Sequence, residues 1–372
     1  MNISPIRVLM IFTIMDRGGA ETMVMNYFRN VDRSTVVFDF LVHREEEGAY
    51  DNEIKTLGGN IFKLPGISLK SLSAYKQAVH RFFEEHNDYR IIHGHCSELG
   101  YWIYKEASKK GVPFIAAHAH NAPLGWDLKM PFRNVLKRLM RPYITHCFTC
   151  AEASAIWLFG KERAKNAIFQ ANAVDASKFQ YAENKRNKIR TREQWDKRFI
   201  IGNVSRFDKQ KNHLFLLDIV SEILKKRQDI LCVLIGANGS EYEKVKQRIK
   251  DLNLGNHIKL YGTRSDIPEL MQGMDVLLFP SFHEGLSVTM IEAQSSGLKT
   301  YTSTGVSKQV AIIPKLVDFI ELNRGAKYWA SQILQQKYER KNTFESIKVA
   351  HFDIKENAKW LTEFYLSQIK NK

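Results

Sequence analysis

Two glutamates, Glu284 and Glu292, stand with seven residues between them in the run Ser281-Phe282-His283-Glu284-Gly285-Leu286-Ser287-Val288-Thr289-Met290-Ile291-Glu292-Ala293. An apolar strand pattern precedes this run, a helical pattern follows from about Ser287 to Ser296, and Gly297 supplies the stop. Glu284 then falls in the loop and Glu292 on the helix, so two carboxylates reach one site at different depths. The backbone of Gly285, Leu286 and Ser287 enters the helix between them and aims N–H groups at an anion.

A second strand pattern ends in Val204-Ser205-Arg206-Phe207-Asp208-Lys209-Gln210-Lys211-Asn212. Arg206 and Lys211 can bracket a diphosphate, the guanidinium forking onto two oxygens and the ammonium acting as a mobile point charge. A departing nucleoside diphosphate gathers negative charge as the sugar becomes oxocarbenium-like, and fixed N–H groups with these cations stabilise it. Each charge-assisted hydrogen bond contributes roughly 1.5–3 kcal/mol. Glu292 can accept from two ribose hydroxyls, and Glu284 can hold those of the sugar. A basic pair at a strand end is more commonly plain solvated surface.

The third candidate is Asp16-Arg17-Gly18-Gly19-Ala20-Glu21, where paired glycines after the first strand let backbone N–H groups approach a phosphate or sugar. A plain strand-to-helix turn explains the same residues. No Asp-x-Asp occurs, so a carboxylate pair for holding a diphosphate through a divalent metal is not evident. Protein cations have to take the metal's place, and no cofactor is expected.

These positions require parallel sheets, because ligands of such sheets bind beyond the carboxyl ends of the strands. Apolar runs at 7–14, 36–43, 90–95, 113–118 and 145–151 alternate with helical patterns, and a second series follows at 199–205, 231–237, 258–262, 276–281 and 298–303. The expected fold is α/β, with two doubly wound, Rossmann-like domains facing a central cleft. The boundary falls at residues 172 and 173, and the helical pattern at 354–369 packs back on the first domain. The charged segment 175–197 reads as a surface connection.

The four cysteines include one CxxC, Cys147 and Cys150, without a second pair to complete a zinc site. Lys plus Arg number 55 against 40 Asp plus Glu, and the surplus of +15 calls for a polyanionic partner: nucleic acid, anionic membrane or phosphate-bearing substrate. No zinc-finger spacing or aromatic RNA-binding signature accompanies the charge, so no nucleic-acid partner is expected. No stretch reaches transmembrane length.

With these motifs assembled, the chain resembles the family 4 retaining glycosyltransferases of GT-B fold, in particular bacterial members of capsular and exopolysaccharide assembly. The resemblance covers nearly the full length and rests on Gly18-Gly19-Ala20-Glu21, on Arg206 with Lys211, and on the Glu284/Glu292 pair between Pro280-Ser281 and Ala293-x-x-x-Gly297. It implies that Arg206 and Lys211 bind the donor diphosphate, Glu292 the ribose and Glu284 the sugar near its reacting carbon. It further implies Gly19 at the donor phosphate, retention of anomeric configuration and no obligatory metal. His118, with His120 second, resembles the family's sugar-facing histidine, although each imidazole also reads as a structural group; His93 and His95 are taken as structural. Two departures stand out: Asn212 and Ser287 occupy positions where the family often has glycine.

The residues Phe132, Val135, Leu136, Leu139 and Met140 recur at helical spacing, flanked by Lys129, Arg133, Lys137, Arg138 and Arg141. Such a helix suits an anionic leaflet, or it packs its apolar face on the sheet. The resulting expectation is a cytoplasmic enzyme attached peripherally to the inner face of the membrane. It would move a hexose or N-acetylhexosamine from a UDP-linked donor to a polyprenyl-diphosphate-linked glycan. The rivals are a sugar-nucleotide epimerase or hydrolase of the same fold and a basic nucleic-acid-binding protein.

Overall fold

The computed structural model describes residues 4–68, 70–120, 130–335 and 338–370. It divides into two compact units, Met1–Ala173 with Ile354–Lys372, and Val174–Asp353. Among the described residues, the first unit holds the strands β1 (Ile6–Phe12), β2 (Val36–Val42), β3 (Ile61–Lys63), β4 (Ile91–Gly94), β5 (Phe114–Ala119), β6 (His146–Thr149) and β7 (Ile168–Phe169). The second holds β8 (Phe199–Val204), β9 (Ile230–Ile235), β10 (Ile258–Gly262), β11 (Val276–Phe279), β12 (Lys299–Ser303) and β13 (Val317–Ile320). Every pairing is parallel. The sheet orders are β3-β2-β1-β4-β5-β6-β7 and β10-β9-β8-β11-β12-β13.

Both orders reverse beside the first strand of the unit, at β1/β4 and at β8/β11. Chain connections leave such a reversal in opposite directions, which opens a crevice at the strands' carboxyl ends. The strands carry apolar residues on both faces because helices cover both. In the first unit, Val8, Met10 and Phe12 pack with the helices Gly19–Asn30 and Ile354–Lys370. Leu9 and Ile11 face the opposite layer, with Tyr75, Val79, Ile103 and Tyr104. β3, β7 and β13 escape a sequence reading because they are short, and a lysine or aspartate interrupts two of them.

The segment expected to be a surface connection is instead structured. Glu183–Glu193 forms a helix that buries Ile189 and is otherwise anchored by arginines. Arg186 pairs with Asp275 and donates to the Met274 carbonyl at 2.8 Å, Arg190 donates to Asp275 at 3.2 Å, and Trp195 is fully buried. With hardly any aliphatics in the segment, hydrophobic periodicity could not reveal it.

Four histidines form an unusual part of the first core. His93 stacks on His95 with ring centroids 4.6 Å apart, and His118 on His120 at 4.2 Å. Phe12 stacks on His95 at 4.7 Å, and His93 Nδ1 lies 2.7 Å from the Tyr365 hydroxyl. Neither nitrogen of the buried His118 has a hydrogen-bond partner among the described residues. Burial pushes His93 down to about 3 and His120 down to about 4, and it is also the main cause that lowers His95 and His118.

These imidazoles therefore stay neutral in the fold where the unfolded chain takes up protons. Stability falls as pH drops from about 6.5 to about 4, since U binds more protons than N there. Each such histidine steepens the loss by up to about 1.4 kcal/mol per pH unit. Urea unfolding at pH 7, 6 and 5 should show the decline, and His118→Leu should flatten it; an unchanged slope would show that His118 is not held neutral.

Candidate active site

At the β8/β11 reversal, the loops that carry the sequence motifs are stitched to one another. The Phe282 N–H donates to the Gln210 carbonyl at 2.8 Å, the Gln210 side chain donates to the His283 carbonyl at 2.8 Å, and the Asn212 amide donates to the Pro280 carbonyl at 3.1 Å. This lacing brings Lys211 against Glu284 as an ion pair, with only 20% and 12% of their side chains exposed. The Lys211 ammonium also lies 5.1 Å from the centre of the Phe279 ring.

Asn212 accounts for one departure from the glycosyltransferase pattern. Its backbone is left-handed, φ 56°, a conformation that asparagine tolerates better than most residues with a Cβ. Glu284 is fixed from the other side by a parallel bridge to Val306 and by the Ser307 N–H, which donates to its carbonyl at 3.0 Å. Gly305 permits this approach, because a Cβ there would come within 2.0 Å of the Phe282 carbonyl oxygen.

The helix predicted after Glu284 runs over Val288–Ser295, with Ser287 as its N-cap and no side-chain hydrogen bond closing its start. The Met290 N–H donates to the Ser287 carbonyl at 3.2 Å, whereas the N–H groups of Val288 and Thr289 remain available to an anion. Gly285 is exposed and Leu286 half-buried on the approach to that start. Glu292 sits farther along the helix, half-buried and without a partner among the described residues. Burial pushes its carboxyl up to about 8. Arg206 lies at the same sheet edge, 68% exposed and held by its neighbour Asp208.

Sequence reasoning passed over His213, which directly follows Asn212. Its Nε2 lies 3.2 Å from both Asn203 Oδ1 and Ser205 Oγ, and its ring stacks on Phe207 at 4.5 Å. Burial, reinforced by the Lys211 charge, lowers it to about 4. A neutral imidazole thus braces the base of the Arg206–Lys211 loop. The loop Thr304–Ser307 was also missed, although it follows a strand whose carboxyl end the sequence located.

In the first unit, Gly18 is the N-cap of the helix that starts at Gly19. A Cβ on Gly18 would lie 2.2 Å from the Glu21 carboxylate, whereas one on Gly19 would meet nothing within 4 Å. Glu21 therefore folds back over its own helix start, and burial raises its pKa, assisted by the charge of Asp16. His118 is fully buried, and His120 stands half-buried beside it at the end of β5. The ligand atoms of His93, His95 and His118, and of His118, His120 and Cys150, lie within 4.8 Å of one another. A shared ion would have to sit about 2.0–2.1 Å from each nitrogen and near the plane of each ring. His118 and His120 are only 13° from parallel and directly stacked, so their lone pairs do not converge on one point.

The basic helix is Met130–Met140, and its expected apolar stripe divides. Leu136 and Met140 are buried, while Phe132, Val135 and Leu139 are 52%, 54% and 44% exposed. The flanking cations do not all face solvent, which corrects the sequence reading. Lys137 is 7% exposed, donates to the Trp157 carbonyl at 3.0 Å and lies over the Trp157 ring. Arg133 binds Glu98 at 2.6 Å, and Arg141 is half-buried with its guanidinium 3.5 Å from the Leu158 carbonyl. Arg138 remains exposed, and Lys129 lies outside the described residues.

Residues 185–313 match the family described as Glycosyl transferases group 1. EpsF of Bacillus subtilis, named as a glycosyltransferase, is 32% identical over 381 residues, covering 98% of this chain and 97% of its own. The UDP-Gal:alpha-D-GlcNAc-diphosphoundecaprenol alpha-1,3-galactosyltransferase of Escherichia coli is 28% identical over 226 residues, 58% of each chain. HepE of Anabaena, solved in complex with UDP, shares the fold at TM-score 0.74, with 16% identity, over 96% of this chain and 94% of its own. The near full-length likeness to EpsF, the family match over residues 185–313 and the two parallel GT-B sheets together show that this chain is a group 1, family 4 glycosyltransferase.

Proposed function

We propose that the chain transfers a hexose or N-acetylhexosamine from a UDP-linked donor to a lipid-linked glycan, with retention of configuration and without an obligatory metal. The observation that carries this reading is the Lys211–Glu284 ion pair beside the uncapped start of the Val288–Ser295 helix. In this reading the arriving diphosphate takes Lys211 from Glu284 and lies against the helix-start N–H groups, while Arg206 swings from Asp208 to a second oxygen. Glu284, released, accepts hydrogen bonds from the sugar. As the glycosidic bond breaks, the added charge on the diphosphate strengthens each of these contacts.

Glu292 accepts from two ribose hydroxyls most strongly when ionised, so donor binding in this reading favours loss of its proton. At the carboxyl edge of the first unit we assign Gly18 and Gly19 to the donor phosphate, and Glu21 and His120 to the acceptor or the sugar. The E. coli relative's name supplies the acceptor class, a saccharide on diphosphoundecaprenol. Among the described residues no helix is long and apolar enough to cross a membrane. We therefore assign contact with the lipid surface to Phe132, Val135 and Leu139, with Arg138 alongside.

Lys211→Met and Glu284→Gln should each lower kcat by roughly 10²–10³ in assays with a panel of UDP-sugars. Each single change strands the other charge and should cost about 1–3 kcal/mol of stability, and the double variant should cost less than the two together. Wild-type turnover in either single variant would remove the assignment. In liposome flotation, Phe132→Ser with Val135→Ser and Leu139→Ser should abolish binding to anionic vesicles, whereas Lys137→Gln should not; equal flotation of triple variant and wild type would rule out this surface.

A further inference from the structure

A trough on the first unit is not used by the reading above. It runs between the helices Leu72–Glu85 and Tyr101–Lys109. At one end is a pocket of about 250 Å³ lined by Lys76, Val79, Tyr101, Trp102, Lys105 and Glu106, among others. It continues past Lys76, Glu106 and Lys109 into a shallower depression beside His80, Arg81 and Glu84. Tyr101 and Trp102 lie with ring centroids 5.4 Å apart, braced from behind by Tyr143 at 6.1 Å and Tyr75 at 6.1 Å. Both rings stay partly exposed.

Two features indicate the occupant. Fixed aromatic faces beside carboxylate and imidazole groups are surfaces on which sugar rings stack while their hydroxyls hydrogen-bond to the rim. The charge near the rings is unbalanced. Glu106 is taken by Lys109 at 3.2 Å and by His80 at 2.8 Å, and Glu84 by Lys110. Among the described residues Lys76 has no carboxylate partner, and Lys105 reaches the Tyr101 hydroxyl at 3.5 Å without a carboxylate partner. Two ammonium groups without a carboxylate partner among the described residues, flanking two aromatic rings, fit a saccharide that carries a carboxylate or phosphate.

The position in the fold adds a direction. Tyr101 follows the turn that leaves β4, and β4 borders the order reversal of this sheet. The aromatic end of the trough is thus at the carboxyl edge of the sheet, and the trough leads away along nine residues of helix, roughly 13 Å. That is more than a single sugar ring needs.

We propose that this trough binds the already assembled, negatively charged part of the acceptor glycan while its terminal sugar occupies the transfer site. The proposal rests on the acceptor reading above. A hyaluronan hexasaccharide and neutral maltohexaose serve as probes, titrated into the full chain and followed by tryptophan fluorescence and calorimetry, with UDP titrated into the same samples. The hyaluronan fragment should bind more tightly than maltohexaose, Lys76→Ala with Lys105→Ala should weaken it roughly tenfold, and Trp102→Leu should weaken both sugars. UDP affinity should be the same in all variants, which separates this site from the donor site. No binding of the hyaluronan fragment, or equal affinity in the wild type and the double lysine variant, overturns the proposal whatever UDP does.

Discussion

The uncapped start of the Val288–Ser295 helix, beside a lysine already neutralised by a glutamate, is the constraint on which the second unit is organised. A free lysine beside bare N–H groups would leave the sheet edge strongly positive. Pairing with Glu284 removes that charge without removing the cation. The backbone lacing of Gln210, Asn212, Phe282 and His283 is what keeps the pair together. Neither loop could hold its charged residue in place alone, since each contributes only one side of those hydrogen bonds. The neutral His213 beneath the first loop is part of the same solution, because a protonated imidazole there would repel Lys211.

The sheet architecture was legible because parallel strands buried on both faces are almost continuously apolar, and β1, β8, β9 and β11 are of that kind. The Glu284 loop and its helix were legible for a different reason: strand end, turn residues, helical spacing and a terminal glycine all agree there. The helix Glu183–Glu193 was illegible because it buries a single aliphatic, Ile189, and is held by hydrogen bonds of Arg186 and Arg190, with the ring of Trp195 just beyond its end, instead of by an aliphatic stripe. The Met130–Met140 helix shows the limit of a helical wheel. Its apolar residues were identified, but which of them face the protein, and that Lys137 lies buried over Trp157, depends on a neighbour distant in sequence.

Histidines 93, 95, 118 and 120 show a different tension. A leucine could fill the place of His118 without leaving unpaired nitrogens in the core, and such groups cost about 1–3 kcal/mol each. A protein that carries this cost at the carboxyl edge of a sheet has local chemistry in conflict with packing, as sites of function often do. His93 and His95, read from the sequence as structural, and His118 and His120, read as sugar-facing, are one stack, so the two readings concern a single object.

Binding of nucleotide to the second unit is the most direct measurement. Calorimetric titration of UDP at pH 7.5, in two buffers of different ionisation enthalpy, should give saturable heat with net proton release. Glu292→Gln should lose the component of that release due to its carboxyl, which burial holds at about 8. Absence of heat with UDP, and with the other common nucleoside diphosphates and their sugars, would contradict the account at its root.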